Sequence, residues 1–285
     1  MKIRAPAKIN LSLRVVGKRA DGYHLLDTIM LPVSLFDEIE IKKRAAKDGR
    51  PQIRLSCAPR TVPEDESNLA FKAARLILAQ SGAPGALDIH ITKRIPVGAG
   101  LGGGSTDAAA TLVGINRLFK LGFSQRRLEK LGTRLGADVA FFINAKPARA
   151  RGIGDRLTPI NKVPCLWLVI VYPKFAVSTA WVYGNLDVKK LTKSASKISI
   201  RTLLGNTNGI NELLVNDLEA VTIGRHPKIE SLKRKLTQAG ASGTLMSGSG
   251  SSVFGIFNSR QKATKAFDRL RRESGLEAFL VRTLD

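Results

Sequence analysis

Cysteine, histidine and acidic side chains are all scarce in this chain. Of 285 residues only Cys57 and Cys165 are cysteine, far apart and without Cys-x-x-Cys spacing, which excludes a disulfide framework and a zinc knuckle. The three histidines (His24, His90 and His226) are scattered and form no metal constellation. No stretch approaches the ~18 consecutive apolar residues of a membrane span. Polar or charged side chains interrupt Met1 to Arg14 at every second position, a poor secretory signal, so a soluble cytoplasmic protein with no membrane partner is expected. Acid is in deficit: 46 Lys and Arg face 23 Asp and Glu, a net charge of +23. Such a surplus points first to a polyanion. The cations are spread along the chain, however, at Lys42-Lys43-Arg44, Arg126-Arg127, Lys233-Arg234-Lys235 and Arg271-Arg272, with no RGG tract, zinc finger or RNP-like aromatic motif beside them. Non-specific attraction of anions is expected, and a specific nucleic-acid site is not.

What is present is material for a core. With 44% apolar and 24% charged residues and a mean hydropathy of −0.03, the chain is neither disordered nor collagen-like, and its length favours two modest domains. Residues 2–16 alternate with period two. Ile3, Ala5, Ala7, Ile9, Leu11, Leu13 and Val15 form one face, and Lys8, Asn10 and Ser12 share the other, the pattern of a half-buried strand. Asp21-Gly22 predicts a turn, and Tyr23–Val33 a returning strand. Short strands are expected at Ile39–Ile41, Ile53–Leu55 and Leu87–Ile91. Ser67 is the expected cap of a helix ended by Gly82, Ser124 caps another, and Gly136-Ala137-Asp138 opens a third. Near 146–164 the composition turns to Pro, Gly and Arg, which marks a domain junction. Cys165–Tyr172 reads as a buried strand. Lys189–Arg201, with five cations and no acid, reads as a solvated connection. Helices are expected at Ile210–Thr222 and Pro227–Gly240. A glycine-serine loop at 247–252 precedes a strand at Val253–Phe257, and a last helix and strand close the chain. The reading is α+β in two domains, 1–157 and 158–285, without internal repeats.

Between Pro96 and Thr106 lies the most informative stretch. Five glycines in the seven residues 98–104 cost conformational entropy, so bare structure is a poor reason for them. They allow close backbone approach, and successive N–H groups can converge on an anion at a helix N-terminus, where the macrodipole adds to the attraction. Ser105 and Thr106 bring hydroxyls to the same mouth. The common nucleotide motifs fail here. Gly98, Gly100 and Gly103 match the dinucleotide spacing, but no acid follows ~20 residues on. No lysine precedes Ser105 as a Walker loop requires, and no HRD or DFG motif is present.

The run PVGAGLGGGSTDAA at 96–109 resembles instead the phosphate loop of the GHMP kinases, a family of small-molecule kinases. Ala5–Leu11 resembles the family's first motif, and Ser247–Phe254 its C-terminal loop. Arg19–Leu25 and Leu135–Val139 are similar to one branch alone, which phosphorylates the 2-hydroxyl of a cytidyl-diphosphate-linked methylerythritol. The resemblance implies an N-terminal domain like the second domain of ribosomal protein S5 and a ferredoxin-like C-terminal domain. It implies ATP as co-substrate, with Mg2+ accompanying it and no protein metal cage. Residue by residue, it implies that Pro96, Val97, Gly98, Ala99, Gly100, Leu101, Gly102, Gly103, Gly104, Ser105 and Thr106 hold the phosphates and that Asn68 meets the adenine end. Thr106 stands where the family usually has serine. Asp138 matches the base for the attacking hydroxyl and Lys8 the cation beside the moving phosphoryl group. Asn10, Tyr23, His24, Thr179 and Tyr183 match substrate contacts, the aromatic pair and Tyr183 being those that recognise cytosine; Trp181 competes with Tyr183 for the last role. The alternatives are another member of the family, against which Asp21-Gly22-Tyr23-His24 argues, or a basic nucleic-acid-binding module on an S5-like fold.

Overall fold

Period-two patterning at the N-terminus becomes one long hairpin in the computed structural model, which describes residues 1–45, 52–83, 86–188, 191 and 207–285. Strand β1 (Lys2–Lys18) turns through residues 19–23 into β2 (His24–Arg44), with the Gly22 N–H donating to the Arg19 carbonyl. At 21 residues, β2 takes in the separate strand expected at Ile39–Ile41. The polar face of β1 is not half-buried as its alternation predicts: Lys8, Asn10 and Ser12 are all buried. Apart from Leu191, the connection expected over 189–201 lies outside the described residues.

Contacts divide the chain into two compact units, and both long strands run through both. The first comprises Met1–Ala7, Leu35–Val97 and Gly102–Ala145. In it β3 (Gln52–Ala58) and β4 (Ala86–Thr92) extend the hairpin in the order β3-β4-β2-β1. β3 runs parallel to β4, and β4 antiparallel to β2. Helices α1 (Leu69–Ser81), α2 (Gly103–Leu118), α3 (Gln125–Thr133) and α4 (Ala137–Asn144) follow. Ile39, Ile41, Leu87, Ile89 and Ile91 of the strands and Ala73, Ile77, Ala109 and Leu112 of the helices are buried. Ser124 caps α3 through the Arg127 N–H, as its position predicts. The α1 cap is Asn68 rather than Ser67: Asn68 Oδ1 accepts from the Ala70 N–H at 2.8 Å, whereas the Ser67 hydroxyl is engaged by Asp65.

The second unit comprises Lys8–Ser34, Gly98–Leu101 and Lys146–Asp285. Here β8 (Val215–Asn216) adds parallel to β1, β5 (Ala148–Gly152) adds antiparallel to β2, and β6 (Arg156–Pro159) pairs with β5. The stretch read as a junction therefore contains a hairpin, because Arg149 and Arg151 alternate with small buried residues and Arg149 is held by Asp27 at 2.5 and 2.7 Å. A second sheet has the order β11-β7-β10-β9, formed by β7 (Trp167–Tyr172), β9 (Gly243–Met246), β10 (Val253–Phe257) and β11 (Glu277–Arg282). Its pairs are antiparallel. Between β7 and β9 come α5 (Thr179–Gly184), α6 (Glu219–Arg225) and α7 (Lys228–Gln238); α8 (Arg260–Leu270) joins β10 to β11. That is the split βαβ arrangement of ferredoxin-like domains.

Two expectations in this unit are corrected. No single helix spans Ile210–Thr222: a 3₁₀ turn (Thr207–Leu213) leads into β8 and then α6. The chain stays extended there because Asp217 Oδ2 accepts the Val15 N–H at 2.7 Å and Asn216 spends its amide on two distant carbonyls. The strand expected from Cys165 begins at Trp167, since the Leu166 N–H goes to the Thr283 hydroxyl and Cys165 is exposed.

Gly114 marks where α2 meets the sheet of the first unit. A Cβ there would lie 2.6 Å from Ile41 Cδ1 and 2.7 Å from Ile3 Cδ1. Gly114→Val should therefore overpack the core and cost about 1–3 kcal/mol, read as a lower urea midpoint. An unchanged midpoint would place the helix farther from those side chains.

Candidate active site

The glycine loop is shaped by backbone packed against backbone. Within the second unit, a Cβ on Gly100 would lie 2.0 Å from the Ser247 carbonyl oxygen, and Gly100 has φ +76°, so only glycine fits. The second glycine-serine loop forms the wall. Ser247 Oγ donates to the Gly100 carbonyl at 3.0 Å, and the Ser252 N–H donates to that of Ala99 at 3.1 Å. On the other side the Val177 N–H donates to the Gly98 carbonyl at 3.0 Å. The wall is held from behind: Asn216 Nδ2 donates to the carbonyls of Met246 and Gly248, and Thr222 Oγ1 to that of Ser249. Nothing in the sequence marked Asn216 or Thr222, because each acts on a loop 27 to 32 residues away.

The first unit supplies the helix that the loop feeds. Gly102 is the N-cap of α2 and offers no side chain, so the amides of the first turn have no intrahelical acceptor and face an incoming anion. Ser105 and Thr106 lie inside that helix, not at its cap; Thr106 is buried and its N–H donates to the Gly102 carbonyl. Asn68 caps α1 through Oδ1, and its Nδ2 donates to the Pro63 carbonyl at 2.7 Å. Asp138 sits in the first turn of α4, half-buried, after the Gly136 cap. Sequence reading also passed over a buried cluster below α2: Lys93 Nζ lies 2.5 Å from Asp37 Oδ2 and 2.9 Å from Asp107 Oδ2. No local signal set these three charges apart, since Asp37 and Lys93 stand beside other charged residues, Glu38 and Arg94.

Two further groups of expected residues come together in the second unit. Lys8 Nζ donates to Asn10 Oδ1 at 2.6 Å, Asn10 Nδ2 to Thr28 Oγ1 at 2.8 Å, and Thr28 Oγ1 to the Ser12 carbonyl at 2.6 Å. This chain fixes the orientation of the Asn10 amide. The Lys8 N–H donates to the Leu101 carbonyl, which joins β1 to the glycine loop. The His24 and Tyr183 rings stack with centroids 5.1 Å apart, so the stack takes in Tyr183; Trp181 is exposed, 5.9 Å from the Arg225 guanidinium. Burial, then the Lys18 charge, lowers the pKa of His24, which keeps the ring neutral near pH 7. Its Nε2 is buried with no partner among the described residues, an arrangement suited to hydrogen-bonding a ligand. Tyr23 is exposed beside it. Thr179 Oγ1 lies 2.8 Å from Ser249 Oγ and links α5 to the wall loop.

Comparison with known proteins agrees with this arrangement. Residues 68–146 match the family model of the GHMP kinases N terminal domain, and residues 200–275 that of the GHMP kinases C terminal domain. The chain belongs to the GHMP kinase family. Across its whole length it is 49% identical to a Citrifermentans bemidjiense protein named 4-diphosphocytidyl-2-C-methyl-D-erythritol kinase, covering 99% of that relative. A Syntrophus aciditrophicus protein of the same name is 45% identical, with both chains fully covered. A crystal structure of 4-(cytidine 5'-diphospho)-2C-methyl-D-erythritol kinase superposes with a TM-score of 0.85 at 33% identity, again over both full chains. GHMP kinases use ATP as co-substrate, and the glycine loop and helix start described above are suited to its phosphates.

Gly100→Ala tests the backbone packing of the loop. Strain of about 1–3 kcal/mol at this position should leave the circular dichroism native and weaken ATP binding about 5- to 100-fold. Native ATP affinity would mean that the 98–101 backbone does not shape the nucleotide site.

Proposed function

We propose that this chain transfers the γ-phosphoryl group of ATP to the 2-hydroxyl of 4-diphosphocytidyl-2-C-methyl-D-erythritol, a step of the non-mevalonate route to isoprenoid precursors. Full-length identity of 42–49% to relatives of that name carries the reading. The buried, neutral His24 with its unpartnered Nε2, stacked on Tyr183, supports a cytosine subsite on this chain. In this reading the protein is cytoplasmic, domain 1–157 carries the phosphate loop, and domain 158–285 completes the kinase. The surplus positive charge gives only non-specific attraction to polyanions.

Phosphoryl transfer asks little covalent work of the protein; it needs positioning, charge neutralisation and a place for one proton. The amides of residues 98–104 and the start of α2 hold the phosphates, with the hydroxyls of Ser105 and Thr106 at hand. The residues from Pro96 and Val97 onward set the loop's course, and Asn68 lies toward the adenine. Tyr23, His24, Thr179 and Tyr183 hold the cytidyl end, and Asn10 orients the alcohol. Asp138 accepts the hydroxyl proton as the substrate oxygen bonds to phosphorus and the bond to the leaving ADP oxygen breaks. Lys8 stabilises the charge on the moving group. Among the described residues no group of three or more His, Cys, Asp or Glu side chains stands ready to hold a metal ion. Magnesium, the expected companion of ATP, would neutralise part of the phosphate charge when bound.

The reading is tested by incubating the protein with ATP, magnesium and the cytidyl substrate and looking for the phosphorylated product; no turnover overturns it. Asp138→Asn preserves shape and removes the base, so kcat should fall about 10²- to 10⁴-fold with substrate binding largely retained. Near-normal turnover would reduce Asp138 to a first-turn helix residue. The cytosine subsite is tested by a uridine-diphosphate analogue, which should lose about 10²-fold or more in kcat/KM because a buried hydrogen-bonding group is left unpaired. Equal kcat/KM for the two bases would remove His24 and Tyr183 from base recognition.

A further inference from the structure

Lys93, Asp37 and Asp107 take no part in the transfer chemistry, yet they lie behind the start of α2. All three are buried, and one ammonium shared by two carboxylates leaves a net charge of −1 out of reach of water. The two acids are not equivalent. Asp37 is saturated: Oδ2 accepts from Lys93, and Oδ1 accepts the N–H groups of Arg94 and Ile95 at 2.6 and 2.9 Å. Asp107 accepts from Lys93 through Oδ2 alone, and its buried Oδ1 has no partner among the described residues. The uncompensated charge therefore belongs to Asp107.

Position makes this consequential. A Cβ on Gly103 would lie 3.1 Å from Lys93 Nζ, so the ammonium sits directly behind the first residue of α2, and Asp107 is one turn further along the same helix. Phosphates held by the amides of that first turn bring their negative charge within roughly 10 Å of the Asp107 carboxyl. We propose that Asp107 takes up a proton when a triphosphate settles on the glycine loop, so that nucleotide binding and neutralisation of the buried cluster are one coupled event. The inference rests on the reading of residues 96–106 as the nucleotide loop.

Burial pushes the Asp107 carboxyl up to about 7 against the pull of Lys93, and the Asp37 charge adds to the rise. The carboxyl is thus poised where a nearby anion changes its occupancy. Lys93 and Asp37 are the charges that act on it directly. Cys57, on β3, has its thiol pushed up by burial and is neutral at that pH. On the helices packed against α2, the charged side chains Lys72, Arg75, Arg126, Arg127, Glu129, Lys130 and Asp138 are at least partly exposed and so better solvated. A charge at ~10 Å in an effective dielectric near 20 shifts such a group by roughly one pH unit. Linkage is reciprocal, so ionising Asp107 should weaken nucleotide binding by about tenfold.

Calorimetric titration with a non-hydrolysable ATP analogue at pH 7.5, in two buffers of different ionisation enthalpy, counts the protons. The wild type should take up about half a proton more than Asp107→Asn does. Between pH 6 and pH 9 the ratio of wild-type to variant Kd should rise about tenfold; the ligand's own titration is common to both and cancels. Equal proton counts in the two proteins overturn the proposal. Should the variant not fold, wild-type proton exchange fully accounted for by the ligand's own titration overturns it alone. An analogue that gives no binding heat with the wild type at any pH overturns the kinase reading and this inference with it, a failure distinct from binding without proton uptake.

Discussion

Removing an ammonium from water costs several kcal/mol, and the effective penalty is met only when the group is paired and hydrogen-bonded with good geometry. Lys93 meets that condition between Asp37 and Asp107. The three residues come from β2, from the segment just after β4 and from α2, so one set of charges fixes strand, loop and helix together. An apolar trio of similar volume could match the stability. It could not accept the Arg94 and Ile95 amides, which set the direction of the chain as it enters the glycine loop. Specific geometry is what this buried cluster adds.

The second constraint is the close approach of two loops within one unit. Gly100 and Ser247 meet backbone to backbone, which leaves no space for a side chain and directs carbonyls and amides at each other. The arrangement depends on polar groups behind it, with Asn216 and Thr222 holding the wall and the Lys8–Asn10–Thr28 chain standing beside the loop. Buried polar networks of this kind are tolerated because their members satisfy one another, and they specify one geometry rather than many. A fixed loop backbone and an oriented amide are the result. His24, kept neutral by burial, adds a buried ring nitrogen with no partner among the described residues.

Much of this was legible in the residues. The glycine loop and the helix it feeds, the hairpin at Asp21-Gly22 and the Ser124 cap followed from local chemistry: glycine content, period-two alternation and cap residues act over a few positions. Family resemblance then placed Asn10, His24 and Tyr183 in a common function, and the second unit does bring His24 to Tyr183 and Asn10 to Lys8. The failures have different causes. Ser67 and Asn68 can both cap, and what removes Ser67 is its local bond to Asp65. The extended chain at Val215–Asn216 was read as helix because its partners, Val15, Met246 and Gly248, are remote in sequence.

By itself the sequence determined the kinds of element, the presence of an anion-binding loop and the family, since each is written in short-range patterns or contiguous motifs. Tertiary structure alone decided that Lys8, Asn10 and Ser12 on the polar face of β1 are buried rather than wet, that the 146–164 stretch contains a hairpin, and that three separated charges share one dry cluster under α2. The physical reason is desolvation. Whether a lysine or an aspartate is a solvated surface charge or a buried partner depends on what the rest of the chain packs over it, and no local pattern carries that information.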